Sequence, residues 1–260
     1  MVTTIPDTQR LINEQMIDDI LVLSFNSTNP HNPFSKEMRE AVTTRLLEAQ
    51  KDSELKAIIL TGGINKSFCV GGDFNETIRF DTPEQVEDWI TSVIDLYTAS
   101  LELKIPTVAA IDHHAIGIGF QLALTCDWRI GSDRCSFMMP ELKNGIACTL
   151  GSFMLTHLLS RAQMQKIVFG CASIDAASAL QMNLLHDTVP ADELLTQALV
   201  AARKLSEYPE IPWRGSKQMI NRSFIDGLKG ISEGSKAVHV DSFMSRSGTE
   251  FFNYILTRNH

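Results

Sequence analysis

An α/β fold is what this 260-residue sequence predicts, and three observations predict it. Short apolar runs rich in β-branched residues read as strands, glycines follow them, and amphipathic helical patterns lie between. Strand, helix, strand is the grammar of a parallel sheet covered by helices.

"DDILVLSFN" (18–26) alternates like a half-buried strand, and the prolines and Asn of "NPHNPFSKEM" end it. Ser35 is the predicted N-cap of a helix over "SKEMREAVTTRLLEAQKD". "LKAIILTGG" reads as a buried parallel strand. After "FCVGGDFNE" (68–76), the segment 82–103 places Val86, Trp89, Ile90, Val93, Ile94 and Tyr97 on one helical face. Thr107 to Ile111 is a strand, followed by a glycine-bearing turn, a helix from about Gly117 and a strand at "WRIGS". From Gly151 onward the pattern is largely helical, with Asp175 and Asp192 near helix starts. "PEIPWRG" (209–215) is a break, which divides the chain into a core, 1–208, and a last helical region, 209–260.

Composition narrows the function. The net charge is −8 and the pI about 5.4, without a Lys/Arg run, which argues against nucleic-acid binding. Five scattered cysteines lack any CxxC or Cys/His spacing and read as the reduced thiols of a cytoplasmic protein, with no metal site expected. The opening "MVTTIPDTQRLINEQ" has no signal-peptide pattern, and no uncharged apolar stretch is long enough to cross a bilayer, so no membrane partner is expected.

Two glycine turns carry the chemical interest. Gly71 and Gly72 follow one strand, Gly117 and Gly119 flank Ile118 after another, and acidic or helical sequence follows each. Glycines there let the backbone approach a ligand, and free N–H groups at the following helices favour negative charge. The residues alone leave two readings open: strand caps of an ordinary α/β protein, or two donors converging on one oxygen as an oxyanion hole. Neither turn has the GxGxxG or GxxxxGK[ST] spacing of nucleotide sites.

"AIILTGGINKSFCVGGDFNE", followed by "IPTVAAIDHHAIGIGFQLALTCDWRIGSDRCSFMMPELKNGI", resembles the crotonase (enoyl-CoA hydratase/isomerase) superfamily, in its order and over nearly the whole chain. Within it, "HNPFS", "GGDFNE", "AIGIGFQLAL", "MPELKNGIAC" and "SKAVH" are most similar to the carboxymethylproline synthase group. The resemblance implies a crotonase fold, a spiral core of repeated ββα turns with a C-terminal helical region, assembled as a homotrimer or a dimer of trimers. It also implies an acyl-CoA thioester whose carbonyl oxygen is held by the N–H groups of Gly72 and Ile118, so that an enolate is stabilised. No cofactor is implied, because coenzyme A enters as part of the substrate.

Family hydratases use two glutamates. One position is held here by Glu141, whereas the other is Gln121, which cannot exchange a proton near neutral pH. In the carboxymethylproline synthases, loss of CO₂ from malonyl-CoA makes the enolate, which attacks pyrroline-5-carboxylate. The glutamate matching Glu141 then assists thioester hydrolysis. His239 and Trp89 match residues that place the imine substrate. Three alternatives stay open: a single-glutamate isomerase or hydratase-like enzyme, an acyl-CoA decarboxylase, and a non-catalytic scaffold that binds acyl-CoA or RNA.

Two features depart from the common pattern. His113 stands where most crotonases have glycine, next to His114; the pair lacks a third metal ligand. Cys148 has no base spaced with it and reads as a buried small thiol.

Overall fold

A computed structural model describes residues 11–245. The predicted absence of a signal pattern rests on residues largely outside that range, as do the last fifteen residues, 246–260, of the predicted C-terminal helical region.

Six strands form the main sheet in the order β1-β2-β3-β4-β6-β9: β1 Ile12–Ile17, β2 Ile20–Phe25, β3 Ala57–Thr61, β4 Thr107–Ile111, β6 Trp128–Ser132 and β9 Asp187–Val189. Only β1 runs antiparallel to its neighbour. A second sheet consists of β5 His114–Ile116, β7 Ser136–Met138 and β8 Ile174–Asp175. The chain alternates between the sheets. After β4 it enters β5 and then helix α4 (Ile118–Leu124), and after β6 it enters β7 and then, past a 3-10 turn, α5 (Thr149–Thr156). β3 begins an earlier turn of the same kind, because Cys69 bridges in parallel to Ala115 before α2 (Phe74–Thr77) and α3 (Pro83–Leu101).

Local chemistry explains the helix boundaries. Ser35 caps α1 (Lys36–Ala49) by accepting from the Met38 N–H, as predicted, and such a cap contributes about 1 kcal/mol. Thr82 and Gln85 form a capping box at the start of α3, with Pro83 in the first turn. Ser160 and Gln163 do the same for α6 (Arg161–Gly170), which splits the helical stretch after Gly151 into two. Asp175 caps α7 (Ala176–Gln181), whereas Asp192 lies in a 3-10 turn ahead of α8 (Leu194–Ser206).

Two predictions are corrected. β2 is not half-buried: Leu21, Leu23 and Phe25 face the main core, and Ile20 and Val22 pack with Ala57, Ile59 and Val108 beneath Leu194, Ala198 and Ala202 of α8. The break placed at 209–215 is shorter, since α9 (Glu210–Met244) already includes residues 210–215. Pro212 is tolerated because it falls in the first turn, where its missing N–H has no intrahelical acceptor.

α9 packs along α3 and also meets α5. Lys217 pins it to the sheet: its ammonium is buried, donating to the Ile105 carbonyl at 2.8 Å and to Asp127 Oδ2 at 2.6 Å. All five cysteines are buried and unpaired. Among the described residues no helix is long and apolar enough to cross a membrane.

Candidate active site

The first glycine turn is built by a parallel bridge between Phe34 and Gly72. The Phe34 N–H donates to the Gly71 carbonyl at 2.8 Å, and the Asp73 N–H donates to the Phe34 carbonyl at 3.2 Å. In a parallel bridge the flanking residues make the bonds, so the N–H of Gly72 itself points to the opposite side. Gly71 has φ +103°, a region a side chain would strain. A Cβ on Gly72 would lie 3.4 Å from Trp89 Cζ2 and 3.5 Å from Ile118 Cδ1, so this residue packs directly on the cavity wall.

The second turn is locked to the first. Cys69 donates from its N–H to the His114 carbonyl and accepts from the Ile116 N–H at 2.8 Å. Gly119 allows the approach, since a Cβ there would come within 2.2 Å of the Cys69 carbonyl oxygen. Ile118 is the first residue of α4, and its N-cap Gly117 has no side chain to cover the free N–H. Among the described residues, no protein acceptor takes the N–H of Gly72 or of Ile118.

Glu141 lies at the start of a 3-10 turn, Glu141–Asn144, after β7. A Cβ on Gly117 would sit 3.3 Å from Glu141 Oε1 and 3.8 Å from Gly71 Cα, so both turns and the carboxylate meet in one place. Gln121 Nε2 donates to Glu141 Oε1 at 2.8 Å, and Gln121 Oε1 accepts from the Tyr97 hydroxyl at 3.0 Å. Burial, and next the charge of Glu141, push the Tyr97 phenol well above its ordinary value, so it stays a donor. That fixes the amide with its NH₂ toward Glu141.

Glu141 Oε2 is buried and accepts no hydrogen bond from the described residues. Burial pushes the carboxyl up to about 7, against the opposing pull of its own backbone N–H, the Cys148 thiol and the Gln121 amide. The Cys148 thiol therefore does have a carboxylate beside it, contrary to the sequence expectation. Burial and then the Glu141 charge drive that thiol upward, so it remains protonated and is not a nucleophile.

Trp89 and His239 complete the wall. Their rings meet edge to face at 6.0 Å, and Phe243 stands 5.6 Å from Trp89. The Trp89 indole N–H is buried without a partner among the described residues. His239 Nδ1 lies 2.7 Å from the Ser235 carbonyl. Burial lowers its pKa, against the carbonyls of Ser235 and Ala147 that favour the charged ring. Gly72, Trp89, Ile118, Gln121, Glu141 and His239, all singled out in the sequence, line this single cavity of about 70 Å³.

Sequence reasoning read Tyr97 only as core, and missed Phe243. Tyr97 shows no local signal for its role, because its partner lies 24 residues away on another helix. The two histidines lie outside the cavity: His114 Nδ1 is 2.8 Å from Ser136 Oγ, and no group of three candidate metal ligands occurs among the described residues.

The arrangement offers two unused backbone donors, one carboxyl poised near neutrality and a mostly apolar enclosure. It can hold an oxygen that gains negative charge and move one proton beside it.

Comparison with known proteins shows the family and the fold. The enoyl-CoA hydratase/isomerase family matches residues 16–253. Carboxymethylproline synthase of Pectobacterium carotovorum is 36% identical over 250 residues, 96% of this chain and 100% of that protein. A probable enoyl-CoA hydratase of Mycobacterium bovis, echA8, is 30% identical over 82% of this chain and 80% of its own length. Among solved structures, ThnE from S. clavuligerus superimposes with a TM-score of 0.77 at 32% identity, covering 88% of this chain and 100% of that one. The enoyl-CoA hydratase from Bacillus halodurans has the same fold, with a TM-score of 0.87 at 18% identity over 94% of this chain and 100% of that one. The chain therefore has the crotonase fold and belongs to the enoyl-CoA hydratase/isomerase family, the acyl-CoA enzymes of the crotonase superfamily.

Proposed function

We propose that this acyl-CoA enzyme is a decarboxylating synthase of the carboxymethylproline synthase type, with malonyl-CoA as donor and pyrroline-5-carboxylate, or a similar cyclic imine, as acceptor. The observation that carries the reading is the pairing of Gln121 with Glu141. Hydration across a double bond calls for a base on water and an acid at carbon, and only one member of this pair can titrate. Loss of CO₂ needs no base, because the C–C bond itself leaves its electrons at the α-carbon.

The steps balance with the groups present. The malonyl carboxylate departs as CO₂, and the electron pair passes into a thioester enolate whose oxygen accepts hydrogen bonds from the Gly72 and Ile118 N–H groups. The imine reacts in its protonated form: the α-carbon bonds to the imine carbon, and the electron pair of the C=N bond passes to the nitrogen, leaving a neutral amine. Water then attacks the thioester carbonyl, Glu141 accepts the water's proton, and the thiol of coenzyme A leaves. A carboxyl with its pKa near 7 suits that last step, being both available as base and able to return the proton.

Trp89 and His239 occupy the cavity wall next to Gly72 and are assigned to the imine substrate. A small cavity fits a short acyl group better than a fatty chain. The 36% identity to a carboxymethylproline synthase along its full length supports the same reading. As in that group of the superfamily, the assembly is assigned as a homotrimer or a dimer of trimers.

Mass spectrometry of reactions with malonyl-CoA, with and without pyrroline-5-carboxylate, tests the function. Carboxymethylproline, CO₂ and free coenzyme A are expected only when enzyme and both substrates are present. Malonyl-CoA surviving unchanged would overturn the synthase reading and point to isomerisable enoyl-CoA esters.

A further inference from the structure

Arg39 is a cation at 1% exposure that does not line the cavity, yet its hydrogen bonds surround Gly72. Nη1 donates to the Phe34 carbonyl at 3.0 Å, the same oxygen that receives the Asp73 N–H. Nη1 and Nη2 form a fork on Glu76, at 2.8 Å to Oε2 and 2.6 Å to Oε1. Glu76 lies on α2, which begins two residues after Gly72. Nε donates to Ser92 Oγ at 2.9 Å, and that hydroxyl donates to the Trp89 carbonyl at 2.7 Å. Trp89 is the residue whose ring a Cβ on Gly72 would meet at 3.4 Å.

One guanidinium thus fixes the residue that brackets Gly72, the helix that follows it and the helix that carries the ring beneath it. We propose that Arg39, with Glu76, is a positioning pair that sets the direction of the Gly72 N–H toward the substrate oxygen. The inference rests on the reading of Gly72 as an oxyanion donor.

The choice of residues favours position over stability. A buried ion pair adds little net stability, because desolvation offsets its attraction, and well-packed apolar side chains do as well. What a planar bidentate fork adds is fixed geometry. The pair is also anchored to the backbone of the turn itself, through Phe34.

The test is the infrared carbonyl stretch of carbon-13-labelled acetyl-CoA bound to the protein, read with its affinity and with turnover. In the unaltered protein the stretch should shift to lower frequency as the oxygen is polarised; bound acetyl-CoA without a shift would remove the oxyanion reading and this inference with it. Arg39→Lys keeps the charge but cannot form the fork. It should bind acetyl-CoA with unchanged affinity, lose most of the frequency shift and lose about a hundredfold in kcat at unchanged KM. A folded Arg39→Lys protein with a lower Tm, but the full shift and full turnover, would overturn the inference. Should that variant not fold, Arg39→Met combined with Glu76→Leu removes both charges and is read in the same way. Failure of both to fold would make the pair a folding element and overturn the positional role.

Discussion

Gln121 Nε2 donates to Glu141 Oε1 at 2.8 Å, and the phenol of Tyr97 on the far side of the amide dictates that direction. The result is a buried carboxyl with one oxygen engaged and the other unpartnered among the described residues.

The pH dependence of stability should report this carboxyl. Its pKa rises on folding from 4.5 to about 7, so between those values the folded chain binds a proton that the unfolded chain has released. Stability therefore falls as pH rises through that window and levels off above it, by up to roughly 3 kcal/mol. Glu141→Gln should raise the thermal midpoint at pH 8 and leave it little changed at pH 5. In calorimetry, an equal effect at both pH values would contradict the raised pKa. Thioester hydrolysis should rise with pH through about 7 and be lost in the same variant.

Restoring a second carboxylate should change the chemistry. In Gln121→Glu the two carboxyls, within hydrogen-bond reach, share one proton instead of ionising together. Hydration of a short enoyl-CoA should become measurable by loss of the conjugated thioester absorbance, while carboxymethylproline formation falls. Tyr97→Phe should act more gently: it frees the amide to turn its oxygen toward Glu141, which moves the midpoint of the hydrolysis pH profile upward.

Gly119→Ala should damage the site without touching substrate. The added methyl meets the Cys69 carbonyl oxygen at 2.2 Å, a backbone atom that cannot swing aside. Overpacking of this kind costs about 1–3 kcal/mol, and relief comes only from moving the start of α4, which carries the Ile118 N–H. Denaturant unfolding should show the lost stability, and kcat should fall with it.

Lys217→Met should loosen α9. Its removal leaves the half-buried Asp127 carboxylate with only Thr107 to satisfy it among the described residues, at a cost of about 1–3 kcal/mol. Adding Asp127→Asn should recover part of that loss. Thermal unfolding of the single and double variants measures both numbers.

The legible parts of this fold were the local ones. Thr107–Ile111 is an apolar run bounded by a proline and an acidic residue, and Ser35 is followed at once by helix formers; neither needs a distant partner to be recognised. β1 was missed because "INEQMI" is an edge strand with four exposed residues at its centre, and its polar character reads as loop. β7, β8 and β9 are too short to show a period and exist through pairings with strands far along the chain. In the site, the family resemblance picked out Gly72, Ile118, Gln121 and Glu141, and these do line one cavity. Arg39 could not, since a charge on a helix looks like a solvated face until Glu76, 37 residues on, closes over it.

The wall that carries His239 is contributed by α9, the last of the described helices, whereas both glycine turns and Glu141 come from the first 141 residues. During synthesis the strands and glycine turns of the spiral are therefore made well before the helix that closes the site. A nascent chain would present the two backbone donors and the carboxyl in an open, wet cleft, where water weakens every electrostatic contact. On the proposed function the site is complete only once α9 has been made, and an acyl-CoA met before then would find an open cleft in place of the enclosed cavity.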